Sequence, residues 1–341
     1  EGPVTEVSAG YPLHCPSCAA FCRGKRDRRF DLSGRRALVT GGRVKIGYQT
    51  ALRLLRAGAE VLVTTRYPHD AARRYAAEAD CTTWRDRLRI RRLDLRLVPE
   101  VLGFVSALLA EEPCLEILIN NAAQTLRPDA AMLAEAGRLE EQARLALSAG
   151  EKGLIVSSEA VAASGQHVVA PLMATGGDLR DENSWSLRLG DVAPVELLEV
   201  LLVNSASPFC LASGLKPLFT RSPFADRYII NVNGADGQFA RKHKDVRHPH
   251  INMSKAALNM LTRTAARDYA RDGIYINSVD TGWVSVEGPR PQRERLEATG
   301  FVPPVHARDA AARICDPIVR GVIDGDRGYG ALYRHYERVS W

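Results

Sequence analysis

Short apolar runs, each too brief for a helix, alternate along this chain with longer stretches whose apolar positions recur at helical spacing. Ala37-Leu38-Val39-Thr40 is the first such run, and Tyr48 to Gly58 behind it places Ala51, Leu52, Leu54 and Leu55 on one helical face. Glu60 to Arg66 reads as a second strand, Leu88 to Ile90 as a third and Ile117 to Asn120 as a fourth. The strand-helix alternation from Asp31 to Val98 is the arrangement that builds a parallel sheet. A further strand is predicted at Tyr228 to Gly234. Helices are predicted at Asp129 to Ser148, Pro194 to Leu215 and Ala307 to Asp324, the last broken or kinked near Pro317. The predicted fold class is α/β, a doubly wound parallel sheet.

A chain of 341 residues suits one main domain with additions. Residues 1–30 read as a separate arm and 31–341 as the domain, with an insertion at about 124–193. Glu1 to Pro12 is rich in irregular-structure formers. The segment between Asn121 and Asn204 is far longer than one loop and one helix require. It holds the amphipathic Asp129 to Ser148 stretch, a stretch from Glu151 to Gly177 rich in Ala, Val, Ser and Gly, and a polar loop ending near Trp185. Long insertions beside a cleft serve as lids or interfaces, so this one is expected to cover the substrate side, with an oligomer contact as the alternative. The aromatics of Gly328 to Trp341 are expected to pack on a neighbouring element or another subunit.

The net charge of +6 arises from 46 basic and 40 acidic residues mixed along the chain. That mixing, and the lack of a basic helix with interleaved aromatics, argues against a nucleic-acid partner. No apolar run reaches bilayer-spanning length and no signal-peptide core opens the chain, so neither membrane nor export is expected and the location read is cytoplasmic. The arm concentrates cysteine: Cys15, Cys18 and Cys22 follow His14 and precede the basic run Arg23 to Arg29. A Cys-x2-Cys pair with Cys22 or His14 as third ligand could hold zinc, although no second close pair follows; the alternative is an unmetallated arm or an interchain contact.

Candidate chemistry starts at Arg35 to Gly47, where a strand runs through a glycine-rich turn into a helix. Free N–H groups of a first helical turn and the positive end of its dipole hold phosphate when small residues let the backbone approach. This turn resembles the Thr-Gly-x-x-x-Gly-x-Gly turn of the short-chain dehydrogenase/reductase family, with Thr40, Gly41 and Gly47 on the pattern and Lys45 in place of the middle glycine. The resemblance implies that Thr40, Gly41, Arg43, Lys45, Ile46 and Gly47 surround a dinucleotide. Lys45 either swings aside and adds charge beside phosphate or narrows the cleft against it. Thr65 stands where NAD-binding members carry an acid, and Arg66 follows, which implies NADP(H), with Arg66 and Arg43 toward the extra phosphate. Asp94 and Leu95 resemble the segment beside the adenine. Asn120-Asn121-Ala122-Ala123 resembles the family's Asn-Asn-Ala-Gly turn, its first Asn tying strands together and Asn121, Ala122 and Ala123 lying near the cofactor.

The resemblance then departs from its pattern at the catalytic positions. Asn204 sits where the family kinks a helix to serve a proton relay. Asn233 and Gly234 stand where a Ser should meet the substrate carbonyl, leaving Asn233 as the donor. Lys255 matches the lysine of Tyr-x-x-x-Lys, but the tyrosine position is Ile251, which has no proton to give. His250, His248, Asp236 and Asn252 are the nearby substitutes, with His250 also readable as a surface or capping histidine. Thr281 replaces a turn proline while Gly282 keeps the tight turn over the nicotinamide. Glu287 to Pro304 resembles the mobile substrate flap. Two functions follow: an NADP(H)-dependent oxidoreductase acting on a small molecule through Lys255, Asn204 and Asn233, or a degenerate relative serving as a nucleotide-binding, scaffold or non-redox subunit. By the same resemblance the assembly is a homodimer or homotetramer.

Overall fold

The computed structural model describes Tyr11, residues 14–156 and residues 180–341. The remaining residues of Glu1 to Pro12, and most of the Glu151 to Gly177 stretch, lie outside the described residues. The strands are β1 Arg36–Thr40, β2 Glu60–Thr65, β3 Leu88–Arg92, β4 Ile117–Asn120, β5 Arg227–Asn233, β6 Ile274–Asp280, β7 Leu332–Arg334 and β8 Glu337–Val339. They form one sheet in the order β3-β2-β1-β4-β5-β6-β7-β8, parallel except for the final pair. Strand order reverses between β1 and β4, and the crevice beyond the carboxyl ends of such strands is where doubly wound sheets bind ligands.

The longer helices are α1 Pro16–Asp27, α2 Lys45–Arg56, α3 Pro68–Ala76, α4 Val98–Glu111, α5 Ala130–Ala146, α6 Pro194–Gly214, α7 Pro249–Arg271, α8 Arg290–Ala298 and α9 Ala307–Val319. Each sheet face has its own core. Leu52, Leu55, Val39, Val63, Ile230 and Ile314 pack together on the face covered by α2 and α9, and Leu38, Leu118, Ile229, Phe104, Leu211 and Phe219 on the face covered by α4 and α6. All seven residues of β5 are buried, as a central parallel strand requires. At its start Arg35 and Asp226 pair at 2.9 Å away from solvent, and the Tyr228 hydroxyl donates to the same carboxylate at 2.7 Å.

Several expectations change. α6 is long and apolar enough, by length and composition, to cross a membrane, although no apolar run was expected to be; here 44% of its most apolar 18-residue stretch is buried inside the protein. It swells into a π-turn at Leu202–Ala206, around Asn204. The break expected near Pro317 does not occur there: α9 runs through it and opens into a π-turn at Arg320–Asp324. The presumed loop Glu287 to Pro304 contains α8. β7 and β8 were not foreseen, being three residues each and joined through His335 and Tyr336 at positive φ.

The arm folds as α1, laid on α9. Tyr11, Ala19, Cys22 and Tyr336 make a small buried cluster, and Lys25 pairs with Asp316 at 2.8 Å. The zinc knuckle that the Cys-x2-Cys spacing allowed is not formed among the described residues. Helix starts at Pro16, so Cys15 caps it, Cys18 faces solvent and Cys22 turns into the cluster. Among the described residues no three His, Cys, Asp or Glu side chains gather as a metal site.

Within the insertion, Asp129 caps α5 by accepting from the Met132 N–H at 2.8 Å. α5 packs on α3, and Glu140 reaches the α3 N-terminus, accepting from the backbone N–H groups of His69 (2.9 Å) and Asp70 (3.0 Å). Ile155 then bridges to Ile90 along the outer edge of β3. The first part of the insertion therefore covers the β2–β3 side of the sheet. The later part, 180–193, returns to the other side through Trp185.

Candidate functional site

β1 ends at Thr40, whose hydroxyl organises the crevice: it donates to Ile119 O at 3.3 Å and accepts from the N–H groups of Asn121 and Ala122, both at 3.0 Å. Asn121 Nδ2 donates to Thr40 O and Gly41 O, and Asn120 Nδ2 to Asn231 Oδ1 at 2.8 Å. The Asn-Asn pair thus ties β4 to β1 on one side and to β5 on the other. The glycines of the turn are sterically required. A Cβ on Gly41, at φ +69°, would lie 2.9 Å from Ala122 Cα, and one on Gly47 only 2.3 Å from Asn121 Nδ2. Val44 caps α2 without a side-chain acceptor and the first turn holds no acid, so its N–H groups remain available to an anion.

This turn opens on a cleft of about 320 Å³ lined by Gly41, Arg43, Lys45, Ile46, Gly47, Thr65, Arg66, Asp94, Leu95, Asn121, Ala122 and Ala123 among others. The structure therefore brings together all the residues assigned to the dinucleotide except Thr40, which lies just behind the turn, and Lys255 and Gly282, which lie further along the sheet ends.

The charged groups in the cleft are unequal. Arg43 is held by Asp70 at 2.6 Å in a buried pair, and Asp70 also takes Arg73 and Arg74. Asp94 is matched by Arg96 at 2.7 Å. Arg66, in contrast, has no ion pair or hydrogen bond among the described residues; it contacts the Tyr67 ring at 5.7 Å and senses the Asp94 carboxylate through space, and burial, partly opposed by Asp94, pushes its guanidinium below the usual range. Lys45 adopts φ +52°, a left-handed conformation that favours the family's glycine, and its ammonium reaches Glu287 Oε1 at 2.7 Å across the mouth of the cleft. Glu287 also accepts from the Ser285 hydroxyl at 2.5 Å, and its backbone oxygen from Asn183 Nδ2 at 3.0 Å. Asp70, Arg96 and Glu287 were not singled out as functional residues from sequence.

At the ends of β5 and β6 the expected catalytic groups are largely turned inward. Asn204 is buried and accepts from the Gln124 N–H at 2.7 Å, with Nδ2 donating to Gln124 O (3.1 Å) and Ser254 Oγ (2.9 Å). Asn233, expected to meet a substrate carbonyl, has both amide hydrogens engaged, one with Lys255 O at 3.0 Å and one with Asn259 Oδ1 at 2.6 Å. It ties β5 to α7 instead. Lys255 Nζ donates to Val232 O at 3.0 Å, and burial lowers its pKa to about 8, with Asp236 partly opposing. Ile251 is fully buried. Gly282 has φ +79° and donates its N–H to Asp280 Oδ1 at 2.8 Å, holding the tight turn.

His250 is neither surface nor cap: it is 1% exposed, with Nε2 3.4 Å from Glu196. A partly exposed pair lies two residues earlier. His248, the residue capping α7, places Nε2 3.5 Å from Asp236, and its ring meets Trp185 edge-on at 4.4 Å. Burial raises the Asp236 carboxyl, but His248, Lys244 and Lys255 outweigh it and hold it below the usual carboxylate range.

A doubly wound sheet whose switch-point crevice carries a glycine turn and an anion-ready helix start is the architecture of dinucleotide-binding α/β folds. Residues 35–169 match the short chain dehydrogenase family and residues 182–300 the family described as Enoyl-(Acyl carrier protein) reductase. The chain belongs to the short-chain dehydrogenase family. An uncharacterized protein of Acanthamoeba polyphaga mimivirus is 31% identical, over 93% of this chain and 69% of its own length. A probable oxidoreductase of Streptomyces antibioticus is 26% identical, over 74% of this chain and 66% of its own. Among solved structures, the RhlG/NADP active-site complex of Pseudomonas aeruginosa superposes with a TM-score of 0.59 at 22% identity, covering 89% of this chain and 95% of that one. A blue fluorescent protein from a metagenomic library, in complex with NADPH, gives 0.60 at 20% identity over 89% and 96%.

Proposed function

We propose that this chain is an NADP(H)-binding oxidoreductase with a non-standard active site. The observation that carries this reading is Arg66: a guanidinium with no ion pair or hydrogen bond among the described residues, beside Thr65, in a cleft where Arg43 and Arg96 are each held in an ion pair. A 2′-phosphate is the group it lacks. The uncapped start of α2, with Gly41 and Gly47 beside it, fits a pyrophosphate, and Asp94, Leu95 and Asn121 to Ala123 border the rest. The two solved neighbours are complexes with NADP and NADPH, which supports the choice. When bound, the cofactor supplies or accepts a hydride.

The chain's own residues must then move a proton at the substrate oxygen. Ile251 cannot, and the reading assigns that task to His248, held by Asp236 and walled by Trp185, with Lys255 contributing positive charge beneath. Trp185 belongs to the insertion, which on this reading helps to shape the substrate side. The exposed apolar side chains of α6 and α7, among them Leu198, Phe209, Met253 and Met260, support assembly into a homodimer or homotetramer.

A second reading is favoured by Ile251 and by the engaged amide of Asn233: the chain binds the nucleotide without turning it over. Titration with NADPH and NADH, followed by nicotinamide fluorescence and melting, tests the common part. About 100-fold excess over Kd should stabilise the fold by roughly 2.7 kcal/mol. Absence of binding overturns both readings. Binding with NADPH oxidation on a panel of aldehydes and ketones supports the first, and binding without oxidation the second.

A further inference from the structure

The basic run Arg23 to Arg29 has no part in the nucleotide cleft. The fold carries it along the end of α1 to a second cleft of about 720 Å³, between α1, α2 and α9, lined by Arg26, Arg28, Arg29, Arg53, Arg56 and Arg308. α2 serves both clefts, with its first turn at the nucleotide site and Arg53 and Arg56 near its other end, more than a helical turn away.

Three of these arginines are neutralised. Arg26 pairs with Asp27 at 2.9 Å, Arg28 with Asp324 at 2.7 Å, and Arg56 with Glu78 and Asp80 at 2.9 and 2.6 Å. Of the other three, Arg53 lies within electrostatic reach of Asp27, which also lines the cleft, while Arg29 and Arg308 pair with no carboxylate among the described residues. Arg53 donates to the backbone oxygens of Lys25, Arg26 and Arg28 and lies against the Phe30 ring at 5.2 Å, while its solvent-shielded Nε has no hydrogen-bond partner. The side chains of Arg29 and Arg308 have neither an ion pair nor a hydrogen bond among the described residues. Like charges gathered in one concavity repel, and an anion entering it relieves that repulsion. Guanidinium forks match phosphate oxygens two at a time, and the volume is that of a small-ligand site rather than of an extended surface track.

We propose that this cleft is a second ligand site, for a small molecule bearing two or more linked phosphate groups, held by Arg29, Arg53 and Arg308. Because Arg29 and Arg308 are exposed, Arg29→Gln/Arg308→Gln leaves the core untouched, and a melting curve matching the parent confirms this. Calorimetric titration of the full chain with inorganic tripolyphosphate is run on the parent, on that double variant and on Arg66→Gln. The proposal predicts binding that weakens about 100-fold or more in the double variant, as expected for two lost charge-assisted contacts, and persists in Arg66→Gln. Binding lost in Arg66→Gln but retained in the double variant would place the anion in the nucleotide cleft and overturn the proposal, as would no binding at all. Tighter binding of an RNA oligomer, weakened by the same double variant, would overturn it in favour of a macromolecular partner. The outcome is independent of NADPH binding, so the two proposals fail separately.

Discussion

Replacing Glu287 by Gln should tighten NADPH binding, because the Lys45 ammonium that a cofactor phosphate would attract is already engaged. The pair closes at 2.7 Å with side-chain exposures of 42% for Lys45 and 17% for Glu287. Partly exposed pairs are screened, so its strength is about 0.5–1 kcal/mol. Releasing Lys45 therefore lowers Kd about two- to fivefold, since 1.4 kcal/mol corresponds to tenfold. Glutamine keeps the shape of the side chain, and the Asn183 contact survives because it goes to the backbone oxygen. Fluorescence titration of the parent, Glu287→Gln, Lys45→Gln and the double variant completes a cycle that isolates the pair. The gain should vanish in the Lys45→Gln background and shrink at high salt. An equal gain without Lys45, or weaker binding in Glu287→Gln, would refute the argument that the ion pair competes with phosphate.

Other outcomes follow from the same geometry. Gly47→Ala forces a Cβ to 2.3 Å from Asn121 Nδ2 and 2.4 Å from Gly41 O, and urea unfolding should show a loss of about 1–3 kcal/mol together with impaired NADPH binding. Asp226→Ala leaves Arg35 buried without its partner and should cost about 3–5 kcal/mol in the same assay. Lys255 has a folded pKa of about 8 against 10.5 ordinarily. The native protein therefore binds fewer protons between those values, and its stability should rise across pH 8 to 10.5 by roughly 3 kcal/mol, the penalty being fully present below pH 8. Lys255→Met should abolish that rise in pH-dependent urea melts.

The sheet was legible because its central strands are buried on both faces and therefore carry short apolar runs, as in Ala37–Val39 of β1, Val61–Val63 of β2 and Ile117–Ile119 of β4. The glycine turn that lines the cleft was legible because its glycines are sterically forced, and the place of Arg66 in that cleft because it sits at a strand exit. What escaped was set by long-range pairing. Nothing near Arg43 announces that Asp70 will neutralise it, and nothing near Lys45 announces Glu287. Asn233 offered a donor by composition, but Lys255 O and Asn259 take both its hydrogens. The cysteines had metal spacing, yet a helix starting at Pro16 turns Cys22 away from Cys15. The amphipathic helix of the insertion was readable from its period, whereas its docking on α3 rests on Glu140 reaching a helix N-terminus far away in sequence.

The central claim is that Arg66 selects the phosphorylated cofactor. Its most direct test is the ratio of NADH to NADPH dissociation constants in the parent and in Arg66→Ala. Loss of a charge-assisted phosphate contact of about 1.5–3 kcal/mol should raise the NADPH Kd by about 10- to 100-fold while leaving NADH unchanged, so the ratio falls toward one. A preference for NADPH that survives the substitution, or equal weakening of both cofactors, would contradict the account.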